Sequence, residues 1–367
     1  MTKAAELAKM GEVLTNGQIG GRRNLIINGA MNVAQRSASV TGIGASAGYF
    51  TCDRWKIETA NSAGRLTMTQ TADGPNGVSA NCLKLDCTTA DASIAAGEYL
   101  YITQLIEGQD LQAIGKGVTG AKEVTLSFYV KANAAFDFVA EFQDEDNGRT
   151  NGRIFATTTD WVRHEITFQA DVDDGSSPFD DDNAASASIN FWIHAGSTYT
   201  GGTLASSWEN ATAANRAAGI DSFYSSTDNN FFITGVQLEV GSQATPFEHR
   251  SFGEELALCQ RYYLQAGGAN YKSVFGTQGW YNTTTSWIGF GDIPVPMRGA
   301  PTLSYTGTPR LQNGQAGYNI SSLSGSLIAD NLTSISLGAN AATSTLYRAH
   351  NMDTNNNAAL VKVDAEL

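Results

Sequence analysis

Carboxylates are the densest chemistry in this chain. Asp and Glu number 36 against 23 Lys and Arg, a formal net charge of −13. They bunch in two stretches, Gln143–Gly148 (QDEDNG) and Asp171–Asn183 (DVDDGSSPFDDDN). Grouped carboxylates repel one another unless solvent or a cation lies between them, and calcium takes about six to eight oxygens from such groups. Asp171, Asp173 and Asp174 are therefore the candidate calcium ligands. Neither stretch has the EF-hand spacing, so a solvated acidic loop is the competing reading. Aromatic residues are the second resource. Tyr271, Trp280, Tyr281 and Trp287 sit among Asn, Thr and Gly, with Trp280, Tyr281 and Trp287 inside GWYNTTTSW. Flat rings of this kind stack on the apolar faces of pyranoses while neighbouring amides hydrogen-bond the hydroxyls. The alternative is that all four are core aromatics of a small domain. No nucleophile elbow, no H-E-x-x-H and no P-loop occurs. A glycosidase would need a carboxylate pair about 5 to 9.5 Å apart, which spacing in sequence does not reveal. No residue is nominated as catalytic.

Composition narrows the partners. A surface this acidic excludes a general nucleic-acid binder and disfavours adsorption to anionic lipid. There is no run of eighteen apolar residues, so no membrane-spanning helix is expected. The opening MTKAAELAKMGEVLTNGQIGG lacks the apolar centre of a secretion signal. Cys52, Cys82, Cys87 and Cys259 make no CxxC pair and too few for a disulfide framework, and His164, His194, His249 and His350 are scattered. Buried thiols in a protein made in a reducing cytosol are expected, and a cysteine-rich zinc site is not.

These groups must be held by β structure. Charged residues are 16% of the chain, below the usual share of about 25%, while Gly occupies 38 of 367 positions. That mixture disfavours long solvent-facing helices. Alternating apolar and polar residues predict strands at Arg65–Gln70, Asn81–Asp86, Glu98–Ile106, Lys122–Lys131, Phe136–Phe142, Arg163–Phe168, Ala187–His194 and Asn230–Glu239. In the last of these, strict alternation puts Phe232, Thr234, Val236, Leu238 and Val240 on one face. Asn28-Gly29 reads as a turn after an apolar strand. Asp53-Arg54-Trp55 reads as a strand start with Trp55 in the core and Arg54 stacked or paired. So many strands without amphipathic helices between them mean an antiparallel sandwich, with a jelly roll as the expected form.

Two helical stretches flank this body. Lys3 to Leu14 repeats Leu7, Met10 and Leu14 at three- and four-residue spacing. A helix of about twelve residues is marginal alone, so these three residues are candidates for attachment or bundling, against a frayed tail. Gly253–Tyr263 reads as a short helix. Beyond it, strands are expected at Ser286–Phe290, Asp292–Val295, Thr302–Tyr305, Thr333–Leu337, Thr345–Ala349 and Leu360–Val363, in a proline-rich, irregular unit. The reading is thus all-β: residues 1–21 an N-terminal helical attachment segment, 22–250 a jelly-roll β-sandwich, 251–263 a linker helix, and 264–367 a smaller, distal C-terminal β domain.

Some phrases are specific. Asn24–Arg36 (NLIINGAMNVAQR) followed by Asp53-Arg54-Trp55, and ITGVQLEVGSQATPFEHRSFGEELALCQRYY at residues 233–263, resemble the opening and closing segments of a jelly-roll domain in bacteriophage virion proteins. YITQLIE at Tyr101–Glu107, AKEVTLSFYVK at Ala121–Lys131 and Asp160-Trp161 fit as well. The resemblance spans roughly residues 22 to 263 and is loose beyond. It implies a carbohydrate-binding-module-like sandwich, often with a structural calcium ion, in a tail fibre or related receptor-facing component, often trimeric. The expectation is a non-enzymatic virion tail protein, synthesised in the host cytoplasm, that partners with itself as a homotrimer and with other tail proteins. It would bind host surface polysaccharide or protein many copies at a time, without a cofactor beyond that calcium. A head or tail decoration protein and a polysaccharide depolymerase are the alternatives.

Overall fold

The computed structural model describes Lys3 and residues 22–172, 177–328, 331–342 and 344–367, with backbone alone for 326–328 and 331–333. Leu7, Met10 and Leu14 lie outside the described residues. The chain forms two compact units that meet in sequence at Phe252 and Gly253. In the first, the strands run β1 (Ser39–Ile43), β2 (Gly48–Tyr49), β3 (Lys56–Ala60), β4 (Arg65–Thr71), β5 (Cys82–Thr89), β6 (Tyr99–Glu107) and β7 (Val124–Ala132). They continue as β8 (Asp137–Asp144), β9 (Arg149–Ala156), β10 (Val162–Phe168), β11 (Ala185–Ala195), β12 (Glu209–Asn210) and β13 (Asn230–Val240).

These build two antiparallel sheets, ordered β1-β4-β5-β13-β7-β10 and β12-β9-β8-β11-β6-β3-β2. The chain crosses between sheets repeatedly, which lets each inner face bury its apolar residues against the other in a jelly-roll sandwich. Phe128 of the first sheet meets Phe191 and Phe155 of the second, both at 5.0 Å between ring centres. Phe231 meets Phe138 at 5.7 Å. All four cysteines are free and buried.

The two family-like phrases turn out to be one clasp. Asn24 Nδ2 donates to the Val236 carbonyl at 3.0 Å, and its Oδ1 accepts from Leu238 N–H at 3.1 Å. Ile27 exchanges two 2.8 Å hydrogen bonds with the Gln104 side chain. Arg250 donates to the Ile26 carbonyl at 3.0 Å. The apolar run before Asn28 is therefore not the ladder strand the sequence suggested: Leu25 N–H bonds the Leu238 carbonyl at 2.9 Å, and the next two N–H groups bond the Asn24 and Gln104 side chains. Trp55 is fully buried with its indole N–H on the Asn28 carbonyl at 3.0 Å, and Arg54 donates to the Leu105 carbonyl at 2.7 Å.

β13 corrects a second reading. Its register with β7 slips between Thr234 and Gln237, where Gly235 has φ 61°. The slip moves the inward face from Phe231 and Ile233 to Val236, Leu238 and Val240, all core residues. A bulge adds one residue and so inverts the alternation. Phe232 consequently faces outward, with Lys131 Nζ 4.7 Å from its ring centre.

In the second unit a helix, α2 (Phe252–Gln260), following the single turn α1 (Ser197–Thr200) of the first, leads into β14 (Tyr263–Gly267). Then come β15 (Ser273–Tyr281), β16 (Ser286–Asp292), β17 (Thr302–Thr306), β18 (Pro309–Gln312), β19 (Gly317–Ile328), β20 (Asn331–Ala341), β21 (Ala349–Thr354) and β22 (Leu360–Asp364). Six of them close into a barrel ordered β15-β16-β20-β19-β18-β21, and β14-β22-β17 form a small sheet. Closure removes free edges from a short, polar chain. The expected strands at Asp292–Val295 and Thr345–Ala349 are absent: each lies at a strand end, in turn and irregular backbone.

Candidate ligand-binding site

The β15–β16 hairpin decides which aromatics reach solvent. Its register sets Trp280 opposite Ile288 and Tyr281 opposite Trp287. Paired residues share a face and neighbours along a strand take opposite faces. Tyr281 and Trp287 thus point together into the barrel, where both are fully buried with Val274, Leu337 and Met352. As ligand contacts they are ruled out, because no surface of either ring is left. The barrel has room for Trp287 only because the wall beside it is Gly289, where a Cβ would come within 2.0 Å of the indole.

Trp280, one residue out of phase, is 41% exposed on the outer wall. There it lines a groove of about 460 Å³ with Gln278, Gly279, Tyr347 and Ala349. Tyr347 is 77% exposed. It takes the left-handed conformation at φ 60°, and its N–H bonds the Tyr281 carbonyl at 2.8 Å. A backbone tie to the inward residue therefore holds the outward ring. The floor is low because the residue paired with Trp280 is Ala349, which ends at its Cβ. Beside the groove, Phe290 packs 6.1 Å from the Trp280 ring centre. Two open rings, a shallow floor and one primary amide suit an uncharged ring bearing hydroxyls. None of the lining residues carries a charge.

Tyr271 is also exposed, at 71%, and does not line this groove. The Arg310 guanidinium lies 4.7 Å from its ring centre, itself held by Asp353 at 2.7 and 3.1 Å. One face of Tyr271 is thereby taken by a cation. Tyr347, Gln278 and Ala349 were not legible as site residues: Tyr347 lies on a turn that brings it beside a strand distant in sequence.

The sandwich has a second aromatic group, on the outer side of the seven-stranded sheet. Tyr101 and Trp192 stand 4.4 Å apart, with Tyr99 and Tyr199 against them. This group is closed by the chain itself. Arg216, in the segment after β11, lies 4.9 Å from the Trp192 ring centre and forks onto Glu141 at 2.8 and 2.7 Å. Glu141 also accepts from Asn190 at 2.9 Å, from the Trp192 indole at 2.8 Å and from Thr150. Burial alone would raise this carboxyl, yet the Arg216 charge and these donors hold it below the usual range.

One buried carboxylate in each acidic stretch is ion-paired within the fold. Asp171 is buried and takes Arg149 on both oxygens at 3.0 and 3.1 Å, with Lys116 at 3.8 Å. A calcium ion at Asp171 would have to displace that guanidinium. Asp173 and Asp174 lie outside the described residues. In the other stretch Asp144 pairs with Lys116 at 2.6 Å. Trp192 is a buried part of the group above, and Trp208 anchors its loop through the Gln169 carbonyl at 2.7 Å.

In comparisons with protein families and with curated proteins, nothing matches the chain. Among solved structures, it is similar to the CBM22-1 xylan-binding domain from Paenibacillus barcinonensis, with 10% identity, 61% of this chain and 100% of that one covered, and a TM-score of 0.29. TmCBM61 in complex with β-1,4-galactotriose is similar at 10% identity over 60% and 99% of the two chains, TM-score 0.29. The family 11 carbohydrate-binding module from Clostridium thermocellum, in complex with a mixed-linked tetrasaccharide, follows at 14% identity over 52% and 91%, TM-score 0.27.

Proposed function

We propose that this chain is a glycan-binding structural protein, working without catalysis, whose C-terminal barrel holds a neutral sugar between Trp280 and Tyr347. The observation that carries the reading is the groove itself: two exposed rings over a floor of Ala349 and Gly279, with the Gln278 amide alongside. Its lining holds no carboxylate able to protonate a glycosidic oxygen, which favours holding over cleaving. The finer reading is a trimeric, tail-fibre-like virion component adsorbing to host surface polysaccharide, with other tail proteins as its neighbours. The phrases NLIINGAMNVAQR and ITGVQLEVGSQATPFEHR support that reading by their resemblance to such proteins. One shallow groove binds weakly. Repetition across linked copies raises avidity by about 10² to 10⁴ through effective concentration.

The test is binding of the purified chain to immobilised host polysaccharide and its competition with virions for host cells. Binding that Trp280→Ala removes supports the proposal, and binding equal in that variant overturns the groove assignment.

A second reading has its own observation. Phe290 is 44% exposed next to Trp280, and an apolar patch on a barrel wall also suits burial against another copy. In that architectural case Trp280→Ala would dissociate the oligomer in analytical ultracentrifugation, and the intact protein would bind no glycan.

A further inference from the structure

We infer that Asp91, Glu98 and His194 form a binding site for one divalent transition ion of the zinc type, inside the sandwich unit. Asp91 and Glu98 share the loop between β5 and β6, and His194 comes from β11, far along the chain. Their ligand atoms lie within 4.8 Å of one another, and all three residues are buried.

The hydrogen-bond inventory is what makes this a site. Glu98 Oε2 and His194 Nε2 are both buried without a hydrogen-bond partner. They face each other at 3.5 Å. That is long for an N–H···O bond, which falls at about 2.7–3.2 Å. It is close to the edge of a zinc tetrahedron, about 3.4 Å when each ligand is about 2.1 Å from the ion. Two buried carboxylates side by side are costly unless a shared proton or a cation compensates them. Among the described residues, the only ion-pair contact of either is this imidazole.

The surroundings orient each ligand. His194 Nδ1 is 2.8 Å from the Ser222 hydroxyl. With Nδ1–H donating to that oxygen, the Nε2 lone pair is left to coordinate. Asp91 is held by Ala63 N–H at 2.9 Å, Ser93 N–H at 3.1 Å and Ser62 Oγ at 3.2 Å. Its backbone N–H is tied to the Tyr224 carbonyl at 2.8 Å. Glu98 is fixed from the other side, its carbonyl accepting from Gly196 N–H at 2.8 Å. The register of β11 on β6 slips between Trp192 and His194, setting His194 opposite Leu100 of the core rather than on the Trp192 face. Bulges re-aim side chains at sites of this kind. One nitrogen and two carboxylates, with a fourth position for water, match zinc-type ions better than calcium, which takes more ligands, all oxygen.

The experiment uses the full chain stripped with a chelator, then titrated with zinc chloride by calorimetry and followed by thermal denaturation. One equivalent of zinc and a raised melting temperature are expected in the wild type. His194→Ala and Glu98→Gln should abolish both. Because His194 is buried and its variant can fail to fold, Ser222→Ala serves as the second probe: it removes only the orienting hydroxyl and should weaken zinc by about 10- to 100-fold. Absence of stoichiometric zinc in folded wild type overturns the site. So does undiminished binding in Glu98→Gln and Ser222→Ala, or a melting temperature that calcium raises and zinc does not.

Discussion

Trp280 and Tyr281 are consecutive in sequence and lie on opposite sides of the barrel wall, the first 41% exposed over the groove and the second fully buried. The Tyr347 N–H on the Tyr281 carbonyl links the two sides. The wall is one strand thick, so a core residue and a contact residue share one backbone.

Substitution at this pair should separate binding from stability. Trp280→Ala should weaken glycan binding by about 2 kcal/mol, roughly 30-fold, and shift unfolding by less than about 0.5 kcal/mol. Tyr281→Ala should cost about 3–5 kcal/mol of stability through the cavity it leaves. Denaturant unfolding and surface plasmon resonance read both. Equal loss of stability in the two variants would contradict the register.

The Arg216–Glu141 fork fastens the segment that closes the outer side of the seven-stranded sheet. Arg216→Ala leaves a buried carboxylate short of its cation and should cost about 3–5 kcal/mol. Glu141 is held below its unfolded value near 4.5. Its stabilising contribution is therefore complete above that value and is lost as pH falls through the folded one. Urea midpoints measured against pH should show an acid-side decline in the wild type that flattens in Arg216→Ala.

Gly29 closes the clasp between the opening phrase and β13. A Cβ there would sit 2.0 Å from the Val236 carbonyl oxygen, and backbone cannot give way as a side-chain tip can. Gly29→Ala should destabilise the sandwich by about 3 kcal/mol. An unchanged urea midpoint would show that the clasp does not hold in solution.

Asp171 gives a test of the acidic stretches. Paired with Arg149 on both oxygens, it should lose about 3 kcal/mol on Asp171→Asn, by the same amount with calcium or with chelator present. A loss seen only with calcium would instead place an ion at this carboxylate.

Much of the sandwich was legible because local alternation records a strand's two environments. EYLYITQLI and KEVTLSFYVK read as strands and are β6 and β7. β9 was not legible: RTNGRIFA opens on Arg, Thr, Asn and Gly, all buried, where alternation expects apolar residues on one face. Alternation also misled at Gly235, where one inserted residue exchanged the faces. GWYNTTTSW was legible as a possible hairpin, and which of its aromatics faced out was not. That choice belongs to barrel closure, which assigns an inside to a strand whose two sides look alike in sequence.

By itself, then, the order of residues determined an all-β chain and most of the strands of its larger unit, since these depend on neighbours along the backbone. Tertiary structure alone decided that Trp280 and Tyr347 share a groove, that Arg216 covers Trp192, and that Asp91, Glu98 and His194 converge. Each of those joins segments far apart in the chain. Their proximity follows from how sheets stack and close, and no local pattern of side chains encodes it.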